Sequence, residues 1–318
     1  MKKQTLALIS LTLILIMALA SCGGTKLTMG TGGTGGTYYG FGAVISQYIE
    51  KNAGVGCVAV STDGSKANIQ GIDAGDYQLG TVQSDVMAYA WAGTNTFAED
   101  GKVDTFRVIG GLYAECVQII TNDASIKSVA DLKGKAVSIG APGSGVYFNA
   151  VDVLTAAGLT LDDIKPQYQS FNDSAESLKD GKIDAAFVVA GAPTPAVTEL
   201  AATTSAYLVP IDGAVADKIM AECPYYTVYK IAADTYNGQS ADVNTIAVKA
   251  TLIVSADIDE TTVYNITKAI YDNAGAISAE HAKGKELTIE NATTGMTAPF
   301  HKGAAKYFAE KGVTVEAE

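Results

Sequence analysis

Arginine is almost missing. The chain of 318 residues holds one, Arg107, and two histidines, His281 and His301. A clamp for a carboxylate or phosphate must therefore come mainly from backbone N–H groups, hydroxyls or lysine. Neither histidine belongs to a cluster with metal-ligand spacing. Cys57, Cys116 and Cys223 also fit no zinc pattern. Their odd number leaves two arrangements open: one disulfide with a free thiol, or three thiols. No Gly-x-Ser-x-Gly elbow and no His-Glu-x-x-His pair is present. With no nucleophile–base or ligand cluster, we expect no enzyme, no metal and no cofactor. Positive charge is scarce as well. Thirty-four acidic residues face 22 basic ones, a net charge of −12, which argues against a nucleic-acid partner and against electrostatic adhesion to anionic lipid. There is no Pro/Ser-rich linker.

What is present begins with an export pattern. Lys2 and Lys3 precede an apolar run over Leu6–Leu19, then Leu19-Ala20-Ser21-Cys22. The run is short for a bilayer span, and its flanks are those of a signal peptide. Leu-Ala-Ser-Cys resembles the bacterial lipobox, so we expect removal of the preceding residues, lipidation at Cys22, and a lipid-anchored extracytoplasmic protein, at the cell surface or in the periplasm. The remainder is long enough for roughly two domains.

The chain is organised around Met29–Lys51, MGTGGTGGTYYGFGAVISQYIEK. It reads as the end of a strand at Lys26–Met29, a glycine-threonine loop, and a helix from Tyr38 or Tyr39 with Val44, Ile45, Tyr48 and Ile49 at helical spacing. Glycines let the backbone turn tightly and approach a bound group. The unpartnered N–H groups and positive dipole end of a helix N-terminus hold an anion. Gly30-x-Gly32-x-x-Gly35 formally matches the dinucleotide fingerprint. No lysine follows the glycines, so it is no GxxxxGK[ST] phosphate loop.

Strand–loop–helix units repeat. Cys57–Ser61 leads through Thr62–Ser65 into a helix at Lys66–Ala74. Gln78–Val82 leads through Gln83-Ser84-Asp85 into another. Arg107–Leu112 is a strand, prolonged by the apolar run Tyr113–Thr121. Ala136–Ile139 then enters a second glycine-rich loop, Gly140–Val146, before a helix closed by Gly158. Gln167–Phe171 reads as a strand and Ser174–Asp180 as a helix. Ile183–Val189 precedes Gly191, Ala192 and a helix to Ala202. Residues 216–245 are less regular and tyrosine-rich. Thr245–Ser255 is a long strand, and Glu260–Ile277 and Gly303–Lys311 are helices. In open α/β sheets ligands bind outside the carboxyl ends of strands. The loops therefore form one shelf, with two glycine-rich helix N-termini, one from each half, facing an anion.

These pieces together resemble the TAXI family, the solute receptors that serve TRAP transporters. The matching stretches are GTGGTGGTYYGFGAVI from Gly30, TDGSKANIQGIDAGDYQLGTVQSD from Thr62, LKGKAVSIGAPGSGV from Leu132, DGKIDAAFVVAGAPTPAVTELA from Asp180, and TYNGQ from Thr235. Asp63 and Lys66 stand where related sequences often have a glycine and smaller or acidic residues, and Val146 where threonine is common.

The resemblance implies an α/β, two-lobed periplasmic binding protein type II fold. Each lobe is a sheet flanked by helices, and crossing strands join them. Residues 25–114 with 256–318 form one lobe and 115–255 the other, after the signal segment 1–22. A small organic anion, such as a glutamate-like amino acid or another carboxylate, would lie in the cleft. An ion-gradient-driven TRAP-type permease would receive it. The expected contacts are Thr34, Gly35, Gly36, Thr37, Tyr38, Gly64, Ser65, Gln83 and Ser84 from the first lobe. The second supplies Pro142, Gly143, Ser144, Gly145, Val146, Gly191, Ala192 and Tyr226. Two alternatives stay open: a surface lipoprotein antigen or ligand sensor of the same fold without transport, and a dinucleotide-dependent oxidoreductase with Asp63 as ribose partner.

Overall fold

The computed structural model describes residues 26–318; the lipidation site expected at Cys22 lies outside them. Strand β1 (Lys26–Gly30) runs into α1 (Thr37–Ala53), β2 (Gly56–Val60) into α2 (Ser65–Asp73), and β3 (Leu79–Gln83) into α3 (Ser84–Ala92). The chain then enters β4 (Phe106–Thr121), a single strand of 16 residues. Beyond it come β5 (Ala136–Ser138), α4 (Val146–Ala156), β6 (Lys165–Gln167), α5 (Phe171–Lys179), β7 (Ala185–Ala190), α6 (Pro195–Thr203), β8 (Tyr207–Val209), α7 (Gly213–Glu222) and β9 (Thr227–Ile231). The 13-residue β10 (Val243–Ser255) returns the chain, and α8 (Glu260–Tyr271), α9 (Ala274–Glu280), α10 (Ile289–Thr293) and α11 (Lys302–Glu310) end it.

The strand order is β2-β1-β3-β10-β4-β7-β5-β6, with β8 on β4 and β9 on β10. β1 pairs parallel with β2 and β3, and β5 with β6 and β7. The two long strands are antiparallel to each other and to their neighbours. β4 pairs with β10 over Phe106–Cys116 and with β7 over Cys116–Thr121. β10 pairs with β9 over Val243–Ala247 and with β3 over Ala250–Val254.

Packing divides along those strands. Met29, Phe41, Ile45, Phe106, Val254 and Phe308 belong to one buried cluster. Val117, Val137, Val153, Phe187 and Ile246 belong to a second, and Ile120, Val188, Leu200 and Tyr236 to a third on the opposite face of the same strands. The changeover falls inside β4, between Tyr113 and Cys116, and inside β10, between Val248 and Ala250. Two layers of helix explain why β7, AAFVVA, is buried at every position: a strand covered on both faces has no solvent side to alternate with. In α1, Phe41, Ile45 and Ile49 are buried at a spacing of four, the stripe that faces the sheet.

Some local expectations give way. The strand expected at Gln167–Phe171 stops at Gln167, and Phe171 opens α5, because Ser170 caps that helix by accepting from Asp173 N at 3.2 Å. The helix expected over Glu260–Ile277 is two, broken after Tyr271; Asp272 at the break accepts from Tyr307 (2.9 Å) and Lys311 (2.8 Å) on or beside α11. The irregular stretch contains α7 and β9. Cys57, Cys116 and Cys223 are free thiols, the first two buried. No helix among the described residues is long and apolar enough to cross a membrane.

Candidate ligand-binding cleft

The carboxyl ends of β1, β2 and β3 carry the loops of the first lobe, and a buried asparagine fixes them. Asn68, on α2, donates through Nδ2 to the carbonyls of Thr31 (2.6 Å) and Thr81 (2.7 Å), and its Oδ1 lies 2.7 Å from the Thr62 hydroxyl. One side chain thus ties the ends of three strands. Gly30 must be glycine beside it, since a Cβ there would lie 2.6 Å from Asn68 Oδ1.

The second lobe meets these loops directly. Gly35 O accepts from Ala196 N at 3.0 Å, and a Cβ on Gly35 would run into Asn172. Thr37 Oγ1 donates to Gly191 O at 2.8 Å, and Asn172 Nδ2 donates to Thr34 Oγ1 at 3.2 Å. On the other flank, Lys66 N and Ala67 N, in the first turn of α2, donate to Gly143 O at 3.1 and 3.3 Å. Below them Asn149 accepts from Gln83 (3.1 Å) and donates to Asp85 (2.9 Å) and Tyr226 (2.7 Å). Tyr226 in turn donates to Asp152 at 2.9 Å.

Between these contacts lies a cavity of about 360 Å³, within the range of small-molecule sites. Its walls are the loop from Gly32 to Tyr38, the loop from Ser61 to Ser65, Gln83, Glu115, Ala141 with Ser144–Val146, Ser170–Asn172, and the end of β7. Of the residues expected from the sequence, Thr34, Gly35, Gly36, Thr37, Tyr38, Gly64, Ser65, Gln83, Ser144, Gly145 and Val146 line it. The others sit elsewhere. Pro142 and Gly143 form the outward bend of their loop, with the Gly143 carbonyl spent on α2. Ser84 is buried and accepts from Lys249 N at 3.2 Å. Gly191 takes the Thr37 hydroxyl, Ala192 follows it outside the wall, and Tyr226 belongs to the buried Asn149 network.

The hydroxyls expected to hold an anion are largely committed to the protein. Thr37 gives its hydrogen to Gly191, Ser144 donates to Ala141 O at 2.7 Å, and Ser61 donates to Gly32 O at 3.0 Å. Backbone donors remain. Neither α1 nor α4 has a side-chain cap, and Thr37, Tyr38 and Val146 have no partner for their N–H groups among the described residues. These are the groups that favour an anion.

Among the described residues the charged ones in the wall are both acidic, Asp63 and Glu115, and no lysine, arginine or histidine lines the cavity. Lys66 is turned away, 2.9 Å from Asp100 and 2.6 Å from Thr96 O. Arg107 pairs with Glu318. Lys283 is buried against Gly191 and Tyr113 but is held by Glu286 at 2.8 Å. Glu115, on β4 at the changeover between lobes, is 2 % exposed and accepts from the Tyr38 hydroxyl at 2.6 Å. Burial pushes its carboxyl up to about 8, with the Tyr38 hydrogen bond and Lys283 pulling the other way. Burial also raises the Tyr38 phenol. Asp85, fully enclosed, is pushed up to about 7 by the same cause.

Glu115 in the cavity wall and Asn68 behind the loops are not among the residues expected from the sequence. A sequence signal for Glu115 exists: it is a lone acid in the apolar run from Tyr113 to Thr121, and a charge there has to be explained. Asn68 gives none, since a polar residue early in a helix is ordinary.

Known structures share this architecture. A protein of Bordetella bronchiseptica RB50 superposes with a TM-score of 0.55 at 16% identity, over 90% of this chain and 89% of that one. The alkanesulfonate-binding protein SsuA of Xanthomonas axonopodis pv. citri, bound to MOPS, gives 0.50 at 16% identity over 90% and 91%. The ligand-binding component of an ABC-type import system from Staphylococcus aureus, with zinc bound, gives 0.51 at 6% identity over 92% and 94%. The α/β architecture, a sheet flanked by helices, is that of the periplasmic binding protein type II fold. Residues 29–312 match the model of the NMT1-like family, and the chain belongs to that family.

Proposed function

We propose that this protein is an extracytoplasmic solute receptor of the TAXI type, anchored through Cys22. It captures a small organic carboxylate between its lobes and delivers it to a TRAP-type permease driven by an ion gradient. The observation that carries this reading is the cavity between two lobes. Each lobe places the uncapped N-terminus of a helix at it, and hydrogen bonds such as Thr37 Oγ1 to Gly191 O and Lys66 N to Gly143 O join the lobes across it. Receptors of this architecture close on a ligand by a hinge, and β4 and β10 are the crossing strands about which the lobes would turn. The lobes proposed are 25–114 with 256–318, and 115–255. No catalysis is part of this reading.

The reading is tested by a thermal-shift screen of the purified protein against carboxylates, sugars, sulfonates and metal cations. Stabilisation by carboxylates is the expected result. A response confined to sugars or cations overturns it. A mass spectrum of the native protein should show acyl groups on Cys22; an unmodified chain with a different first residue removes the anchor. The names of the similar structures favour a second delivery route, an ABC-type importer. Uptake that persists when the ion gradient is collapsed but ATP is kept would select it.

A further inference from the structure

The cleft is short of side-chain donors. Thr37, Ser61 and Ser144 give their hydrogens to carbonyls, and among the described residues no cation lines the wall. Glu115 stands in that wall, 2 % exposed, and its two oxygens differ. Oε2 accepts the Tyr38 hydrogen at 2.6 Å. Oε1 has no hydrogen-bond partner among the described residues, yet it is not sealed in the interior, so it opens on the cavity. The cation that acts on Glu115, Lys283, is held by Glu286 at 2.8 Å, while Asp85 adds negative charge from the first lobe. A buried carboxyl without an ion-pair partner avoids the cost of a buried charge by keeping its proton.

Resting on the receptor reading above, we infer that Glu115 meets the bound anion as a carboxylic acid: Oε2 accepts from Tyr38, and Oε1 carries the proton as a hydrogen-bond donor to an oxygen of the solute. Tyr38 decides where the proton sits. With Oε2 occupied as an acceptor, the acid hydrogen takes Oε1, the oxygen that opens on the cavity. The anion is then held by this O–H together with the unpartnered N–H groups at the start of α1. An ionised Glu115 offers no hydrogen and repels an anion, so the receptor loses its solute as Glu115 loses its proton. Where the free protein has already lost it, binding takes a proton up. The groups facing Glu115 are Tyr38, Tyr113, Cys116, Asp85 and Lys283, with Asp63 in the same wall. Burial raises Tyr38, Tyr113 and Cys116, which keeps them neutral, and Lys283 stays charged on Glu286. Asp85, pushed up to about 7, is the neighbour that titrates nearby, and a variant of Glu115 alone separates the two.

The probe is the tightest binder among acetate, succinate, glutarate and benzoate, none of which titrates between pH 7 and pH 9. Calorimetry on the purified full chain should show binding about tenfold weaker at pH 9 than at pH 7, the ratio expected when only the acid form binds and the free carboxyl sits at about 8. At pH 8, titrations in Tris and in HEPES, which differ in ionisation heat, should show uptake of about half a proton per anion. In Glu115→Gln the ratio between the two pH values should shrink to about twofold or less, because an amide keeps its donor at both. Infrared difference spectra of wild type against Glu115→Gln at pH 7, with no anion added, should show the carbonyl stretch of a protonated carboxyl. The proton count stands even if the variant does not fold. Proton release, equal affinity at pH 7 and pH 9, a ratio retained by Glu115→Gln, or an infrared difference holding only ionised carboxylate overturns the inference and leaves the receptor reading intact. Silence from all four probes and from the wider carboxylate screen overturns the receptor reading and this inference with it.

Discussion

Tyr38 hands its phenolic hydrogen to Glu115 across 2.6 Å, joining the first turn of α1 to the middle of β4 at the floor of the cleft. The pair is buried, and the carboxyl is held up to about 8. Such a group binds a proton in the folded protein at pH values where the unfolded chain has lost it. Folding stability contributed by Glu115 is therefore complete below its ordinary value of 4.5 and is lost as pH rises to about 8. Asp85 adds the same sign between 3.8 and about 7. The ligand-free protein should melt higher at pH 5 than at pH 8. Glu115→Gln should flatten the upper part of that slope, with a difference of up to a few kcal/mol in denaturant titrations. A slope of opposite sign would show that the carboxyl is ionised on folding.

Thr37 has one hydrogen to give and gives it to the second lobe. Thr37→Val should therefore act on closure. Affinity for the best ligand should fall by about 1 kcal/mol, the worth of one hydrogen bond, and the ligand-free melting temperature should stay within a degree or so, since α1 is not capped by this side chain. Small-angle scattering with saturating ligand should still reach the compact form. A loss of several kcal/mol would mean that the hydroxyl touches the ligand.

Two glycines of the second loop should part company on substitution. At Gly145 a Cβ would lie 1.6 Å from Gln83 Oε1 and 2.8 Å from Val86 Cγ2, across the lobe boundary. Gly145→Ala should prevent the lobes from meeting and remove binding. At Gly143 the φ is +82°, but the nearest atom to a Cβ is Asp63 Cβ at 3.5 Å. Gly143→Ala should cost about 1 kcal/mol of stability from the left-handed backbone and leave the contact with α2 in place. Calorimetry and melting curves on both variants decide it; strong binding by Gly145→Ala would show that Gln83 can move aside.

Asn149 is fully buried and serves Gln83, Asp85 and Tyr226 at once. Asn149→Leu leaves Asp85 without its donor in the interior. The expected loss is about 2–3 kcal/mol in urea unfolding, smaller at pH 5 than at pH 8 because a protonated Asp85 tolerates the change better. A loss that does not depend on pH would place the cost in packing.

The glycine-threonine loop, the strand before it and the helix after it are local events. Close-range rules suffice for them: apolar residues at period two or in short runs, then glycines, then a stripe at period four. The same holds for the second glycine-rich loop and for the alternation of strand and helix that implies an open α/β fold. A long apolar run such as Phe106–Thr121 declares a strand, but not that its two halves serve different lobes. That depends on which strands lie alongside, β10 for one half and β7 for the other. What each hydroxyl does is likewise decided from far away. Thr37 meets a carbonyl 154 residues on, and Tyr38 an acid 77 residues on. Read locally, Thr37 and Ser144 were free donors for an anion. In the fold, a carbonyl has taken each hydrogen, and the cavity keeps backbone N–H groups and two carboxylates. The residues of the cleft are legible in the chain because glycine-rich turns at strand ends are local; its charge is set by the fold, because only packing decides which polar groups face the cavity and which are spent on one another.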